Sequence, residues 1–217
     1  AVANEYGETV EDVRLYMRDI LAHTIGRIGT LQRALVSLAA ENMDVMLPGF
    51  THLQYAMPVL AAHHLLSYVE MFERDTQRLR DQQRRVNILP LGAAALAGSG
   101  LPLDRAFVAR ALGFDGVSTN SMDTVADRDF CIEFLSAAAL VGMHLSRMCE
   151  DMILWVSEPF GFIDLADTFC TGSSLMPHKK NPDVLELVRG KCGRLYGNLV
   201  SLMTLMKGLP MTYNRDM

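Results

Sequence analysis

The sequence predicts an all-α fold, a bundle of a few long helices. Three observations carry this. Apolar residues recur at three- and four-residue steps through most of the chain. The breaks between those runs are short and rich in glycine and proline. Half of the 217 residues are hydrophobic and 21% are charged, enough for one sizeable core. The formal charge is −5 without a basic run, so nucleic acid is not an expected partner. No apolar run is expected to span a membrane.

The first helix is expected over 8–46, with Val13, Met17, Ile20, Thr24, Ile28, Leu31, Leu35 and Leu38 on one stripe. Glu8 and Glu11 sit near its start, where the helix dipole favours acids, and Pro48-Gly49 ends it. Nearly forty helical residues extend about 55–60 Å, a length suited to packing along other long helices, often of other subunits. A turn follows over 50–57. A second helix is expected over 58–86, with Leu60, His64, Leu65, Tyr68, Phe72, Thr76 and Leu79 on one side. His63 and His64 are adjacent and so diverge, which argues against a shared metal. Residues 87–103 are small, apolar and glycine-rich; without the G-x-G-x-x-G spacing they read as close backbone packing, not a nucleotide loop. Asp104 caps a short helix to Leu112, and 113–120 form a loop. A third long helix is expected over 121–158, apolar around much of its circumference and therefore buried at the centre of the bundle. The fourth runs over 182–207. The 14 methionines read as adaptable core filling. No linker or repeat divides the chain, which reads as one helical domain over 1–217.

Three interruptions gather unlike polar groups: Thr51-His52-Leu53-Gln54, Asn120-Ser121-Met122-Asp123 with Arg128-Asp129, and Thr171 to Pro182. The last is predicted to be a mobile loop, hinged at Gly172 and at Pro177 and Pro182, with Asn181-Pro182 starting the next helix. His52 lies in a turn before a helix start, and Glu186 lies in the first turn of the helix after the loop. Were they to meet, the carboxylate would fix the imidazole tautomer and make it a proton carrier near neutrality. Cys131, Cys149, Cys170 and Cys192 form no C-x-x-C pair, so reduced thiols, a cytoplasmic setting and no metal site are expected.

Gly172-Ser173-Ser174-Leu175-Met176-Pro177-His178-Lys179-Lys180-Asn181-Pro182 resembles the signature loop of the fumarase/aspartase superfamily, G-S-S-x-M-P-x-K-x-N-P, at all eight specified positions. Further stretches resemble the argininosuccinate lyase family within it. They are Pro90-Leu91-Gly92-Ala93, Ala95-Leu96-Ala97-Gly98, Asn120-Ser121-Met122-Asp123, Asn181 to Leu187, and Lys207-Gly208-Leu209-Pro210 leading to Tyr213-Asn214. The resemblance runs from Asp12 to Met217. It implies the central helical domain of a cytoplasmic homotetramer, with N- and C-terminal family domains lying outside this chain. It also implies active sites built from three subunits, and no cofactor.

The implied reaction is the reversible elimination of argininosuccinate to arginine and fumarate, part of arginine biosynthesis. By that resemblance Ser173 is the base, made reactive by loop N–H groups and nearby cations. Lys179 offsets charge on a substrate carboxylate and Asn181 hydrogen-bonds it. His52, oriented by Glu186, is the acid or proton relay. Thr51 and Tyr213 bind substrate oxygens, with Gln54 and Arg128 as further contacts. Two departures stand out. The family's Ser-Arg-Asn-Asp-Gln motif is replaced by Asn4 to Glu8, and Tyr55 and Met57 stand where Arg and Gln are usual. Two alternatives stay open at this point: a non-catalytic tetramerising helical module, and an adenylosuccinate lyase-like elimination, whose family shares His178-Lys179.

Overall fold

The computed structural model describes residues 10–217; the replaced motif at Asn4 to Glu8 lies outside the described residues. Four long helices dominate: α1 (Val10–Glu41), α2 (Ala61–Val86), α5 (Asp129–Val156) and α6 (Asp183–Met206). Two short ones, α3 (Arg105–Leu112) and α4 (Ser121–Ala126), lie between α2 and α5. The all-α expectation holds, with three two-stranded ribbons joining the helices. They pair β1 (Met46–Thr51) with β2 (Gln54–Leu60), β3 (Ile88–Leu89) with β4 (Gly116–Val117), and β5 (Thr171–Gly172) with β6 (Lys180–Asn181).

The chain divides into two compact units, and each long helix contributes a segment to both. The first unit takes residues 28–75 and 138–197. Its buried residues on α1 and α2 follow the predicted stripes: Ile28 and Leu35, then Leu65, Tyr68 and Phe72. Leu38 and Val13 of the first stripe and Leu60 of the second are instead exposed. Gln32 donates to the Val69 carbonyl at 3.2 Å. Between α2 and α5 the buried Asp75 accepts from or pairs with His144 at 2.6 Å. On α5, Gly142 permits close approach of α6. Cys192 Sγ donates to the Gly142 carbonyl at 2.9 Å, and a Cβ at Gly142 would sit 2.8 Å from Leu195 Cδ1.

The second unit takes residues 10–27, 76–137 and 198–217. Leu89, Ala109 and Phe114 form a buried cluster, flanked by Leu15, Leu91, Val108 and Val117. Asp104 caps α3 as expected, accepting from the Phe107 N–H at 2.8 Å, and Gly113 ends it with φ 71°. The region read as close backbone packing is held by Arg105, which donates to the Leu91 carbonyl and, at 2.9 Å, to both oxygens of Ser118. Arg14 is buried at the C-terminal end of α2. It donates to the carbonyls of Arg85 and Val86, pairs with Asp127 and lies 4.2 Å from the Phe130 ring centroid. A guanidinium there satisfies carbonyls that the helix leaves open and complements its dipole.

Four expectations about the helices are corrected. The first helix ends at Glu41, short of residue 46, and Met46 already opens β1. Residues 58–60 belong to β2, so α2 begins at Ala61. Pro58 faces Pro48 across the ribbon, where neither ring has to supply a ladder N–H. The helix expected over 121–158 is two helices. Asp127 turns extended (φ −63°, ψ 124°), and its carboxylate accepts from the Asp129 N–H at 2.8 Å, an Asx turn that starts α5. Finally, α5 is not wholly buried: Leu135, Leu145, Met152 and Trp155 are half-buried. Contrary to expectation it is also long and apolar enough to cross a membrane, with a mean hydropathy of 1.3 over 18 residues. Its buried His144 and its Asp151 nevertheless hydrogen-bond to α2 side chains, as on a helix interior to a bundle.

Candidate functional site

The first polar stretch is the tip of a β-hairpin, not a turn leading directly into a helix. Thr51 pairs with Gln54, leaving His52 and Leu53 as a two-residue loop. Both have φ 56°. Two positive φ values are what a type I′ turn requires, because its twist matches that of the strands. Such turns normally use Asn-Gly. Here the more strained member is Leu53, since histidine tolerates the left-handed region better than leucine. Backbone strain of this kind clusters at functional sites. Gly49 makes the bulge between Pro48 and Phe50; a Cβ there would lie 2.7 Å from the Met57 carbonyl oxygen.

Behind the tip lies a cavity of about 670 Å³, lined by the hairpin, including Thr51 and His52, and by His64, Asp151, Trp155 and Phe160. Two of its lining residues share a partner: His64 Nε2 is 3.0 Å from the Tyr68 hydroxyl, which donates to Asp151 at 2.5 Å. Burial pushes the Tyr68 phenol well above its ordinary value, helped by the hydrogen bond to Asp151. Burial acts to raise Asp151, but the hydrogen bonds from His64 and Tyr68 outweigh it and hold the carboxyl below its usual range. The Trp155 ring meets His64 edge-on at 4.6 Å. Periodicity had placed His64 and Tyr68 on one face of α2. Their partner on α5 had no signal in the sequence, being more than eighty residues away.

The signature stretch is a tied loop. Thr171 pairs with Asn181 and Gly172 with Lys180, so Ser173 to Lys179 are held at both ends. Ser173 Oγ accepts the Met176 N–H at 3.1 Å. The Lys179 N–H returns to the Met176 carbonyl at 3.0 Å, and the Lys179 side chain is exposed. Lys180 points away, its Nζ 2.9 Å from both Asp164 and Asp167. Gly172, expected as a hinge, sits in a strand where a Cβ would meet nothing. Asn181 is likewise a strand residue. The Pro182 carbonyl accepts the first helical bonds, from Leu185 and Glu186, and Thr171 Oγ1 donates to Asp183 at 2.7 Å.

Glu186 lies 3.8 Å from Arg189, which also pairs with Glu150. No hydrogen bond among the described residues joins Glu186 to His52, and no residue of the signature loop lines the cavity that His52 shares. Thr51, His52, Gln54, Ser173, Lys179, Asn181 and Glu186 belong to one unit, whereas Arg128 and Tyr213 belong to the other. Arg128 is bonded to the Val125 and Asp127 carbonyls, and burial pulls its guanidinium below its ordinary value. Tyr213 lines a small pocket with Glu11, Ala93 and Val125.

A family model described as "Lyase" matches residues 9–197. The chain belongs to the fumarase/aspartase family of lyases. This lyase chain is 59% identical to the argininosuccinate lyase of Cupriavidus metallidurans and 62% identical to that of Methylibium petroleiphilum. In both cases the match covers 96% of the chain and 45% of the relative. The chain thus spans under half the length of these curated relatives. Among solved structures, EDDS lyase in complex with formate has a TM-score of 0.93 at 33% identity, covering 95% of this chain and 42% of that one. A class II fumarase from Schistosoma mansoni, at 20% identity, has a TM-score of 0.74 over 92% of this chain and 48% of that one, and shares the fold. The long-helix bundle is therefore the architecture of this lyase family.

Proposed function

We propose that this chain is the central helical domain of an argininosuccinate lyase and that it supplies the base and proton carrier for the elimination. One observation carries the reading: Ser173 Oγ accepts a backbone N–H inside a loop tied at both ends, beside the exposed Lys179. A serine base must hold negative charge on Oγ, and an N–H aimed at that oxygen favours the alkoxide. Ser173 takes the proton from the carbon next to a carboxylate. Lys179 and Asn181 stabilise the aci-carboxylate that forms, and the C–N bond to the guanidino nitrogen then breaks to leave fumarate. His52, oriented by Glu186, returns a proton to the leaving arginine. Thr51 and Tyr213 bind substrate oxygens, with Gln54 and Arg128 as outer contacts. Identities of 58–62% to argininosuccinate lyases favour this substrate over adenylosuccinate.

The assembly we infer is a homotetramer with shared sites. Its support is that, among the described residues, the signature loop contributes nothing to the cavity that His52 lines, while α5 and α6 carry half-buried or exposed apolar faces. Four free cysteines fit a reducing cytoplasm. The test is fumarate release from argininosuccinate by this chain, with Ser173→Ala as control. Release that falls about 10³-fold in the control is the expected result. A tetramer that neither binds argininosuccinate nor releases fumarate would point instead to a purely structural module.

A further inference from the structure

We propose that Asp164 and Asp167 are positioning residues for the elimination: through Lys180 they fix the base of the signature loop and so set the place of Ser173. This rests on the reaction proposed above. Lys180 Nζ lies 2.9 Å from Asp164 Oδ1 and 2.9 Å from Asp167 Oδ1. Its backbone pairs with Gly172, the residue before Ser173. A restraint on the Lys180 side chain is therefore one strand pairing and one peptide bond away from the base. The two carboxylates come from the segment between α5 and the loop. Asp167 opens a 3₁₀ turn, Asp167–Phe169, that returns the Cys170 N–H to the Asp167 carbonyl at 3.1 Å.

The arrangement uses two carboxylates for a physical reason. Side chains of Asp164 and Asp167 are 85% and 94% exposed, so either pair alone is well screened and weak. With two acceptors the ammonium stays engaged when one carboxylate turns away. The same contacts raise Lys180 above its ordinary value, chiefly through the hydrogen bond to Asp164 and then that to Asp167. A second consequence is chemical. Lys179 and Lys180 are neighbours, and an unengaged Lys180 would compete for the substrate carboxylate. Occupied by Asp164 and Asp167, it leaves Lys179 as the ammonium available to the anion. The clamp holds β6 and leaves Ser174 to His178 outside it.

The experiment uses Lys180→Met, Asp164→Asn with Asp167→Asn, and Lys180→Arg. Hydrogen exchange at the Gly172 and Lys180 amides reads the clamp without requiring activity. The expected result is exchange about fivefold faster in Lys180→Met and in the double variant, with wild-type protection in Lys180→Arg. The activity readout is kcat for argininosuccinate against salt. The wild-type kcat should fall as salt screens the clamp, whereas Lys180→Met should start about tenfold lower and show no such fall. Lys180→Arg should restore kcat, since a guanidinium can engage both carboxylates. Unchanged exchange in Lys180→Met overturns the clamp. Faster exchange with a wild-type kcat overturns the positioning role. A wild-type chain without turnover removes the elimination and with it this role, and exchange then still decides whether the clamp exists.

Discussion

Ser173, Lys179 and Lys180 show how position, not residue type alone, assigns chemistry. Two adjacent lysines are alike in the sequence; one is exposed and the other is held by two carboxylates. The His64–Tyr68–Asp151 group allows a pH test on both sides of neutrality. Asp151 is held below its usual range in the folded chain, so its contribution to stability is present above about pH 4 and is lost as pH falls through the folded value. Tyr68 is raised, so its contribution is present below about pH 10 and is lost as pH rises towards its folded value. Urea titrations across pH should therefore show that Asp151→Asn flattens the acid limb and Tyr68→Phe the alkaline limb. The thiols give another test. Burial pushes Cys131 and Cys149 up to about 11. Native alkylation at pH 8, read by mass spectrometry, should be about 10²-fold slower at both than at a free thiol. Equal rates would mean that these thiols are not shielded as described.

At the scale of elements, the hairpin is the unit that carries His52. Its shape depends on the bulge at Gly49, where a Cβ would lie 2.7 Å from backbone that cannot swing aside. Gly49→Ala should destabilise the chain by about 1–3 kcal/mol in chemical denaturation. Leu53→Gly should act in the other direction, relieving about 1 kcal/mol of left-handed strain. A loss of stability in Leu53→Gly would show that the leucine side chain contributes more than its backbone costs. The sequence misled here for an identifiable reason. Pro48, Pro58 and the absence of Asn-Gly all read against a hairpin, and only the pairing of Thr51 with Gln54 forces the turn type. The short β5–β6 pair was equally hidden, because two residues per strand carry no period.

For the whole molecule, α6 carries apolar side chains that the described residues leave uncovered. Val200 and Met203, one turn apart on α6, are 62% and 54% exposed. Exposed apolar side chains along one long helix mark an interaction surface. Sedimentation should find a tetramer, and Val200→Asp with Met203→Glu should shift it to smaller species while leaving helicity unchanged. A monomeric wild-type chain would count against shared active sites.

Local sequence patterns account for the four long helices in outline, most of their buried positions, the α3 cap and the motif of the signature loop. These depend on neighbours in the chain: a 3.6-residue period, one capping carboxylate, one motif. Packing across the fold set the remainder. It made the Thr51 to Gln54 stretch a hairpin tip, broke the helix at Asp127, tied Lys180 to Asp164 and Asp167, and brought Asp151 to Tyr68 from 83 residues away. Each of these is set by which backbone and side-chain groups find partners once the helices pack. That pairing has no local pattern, because a residue's chain neighbours do not choose its contacts across the fold.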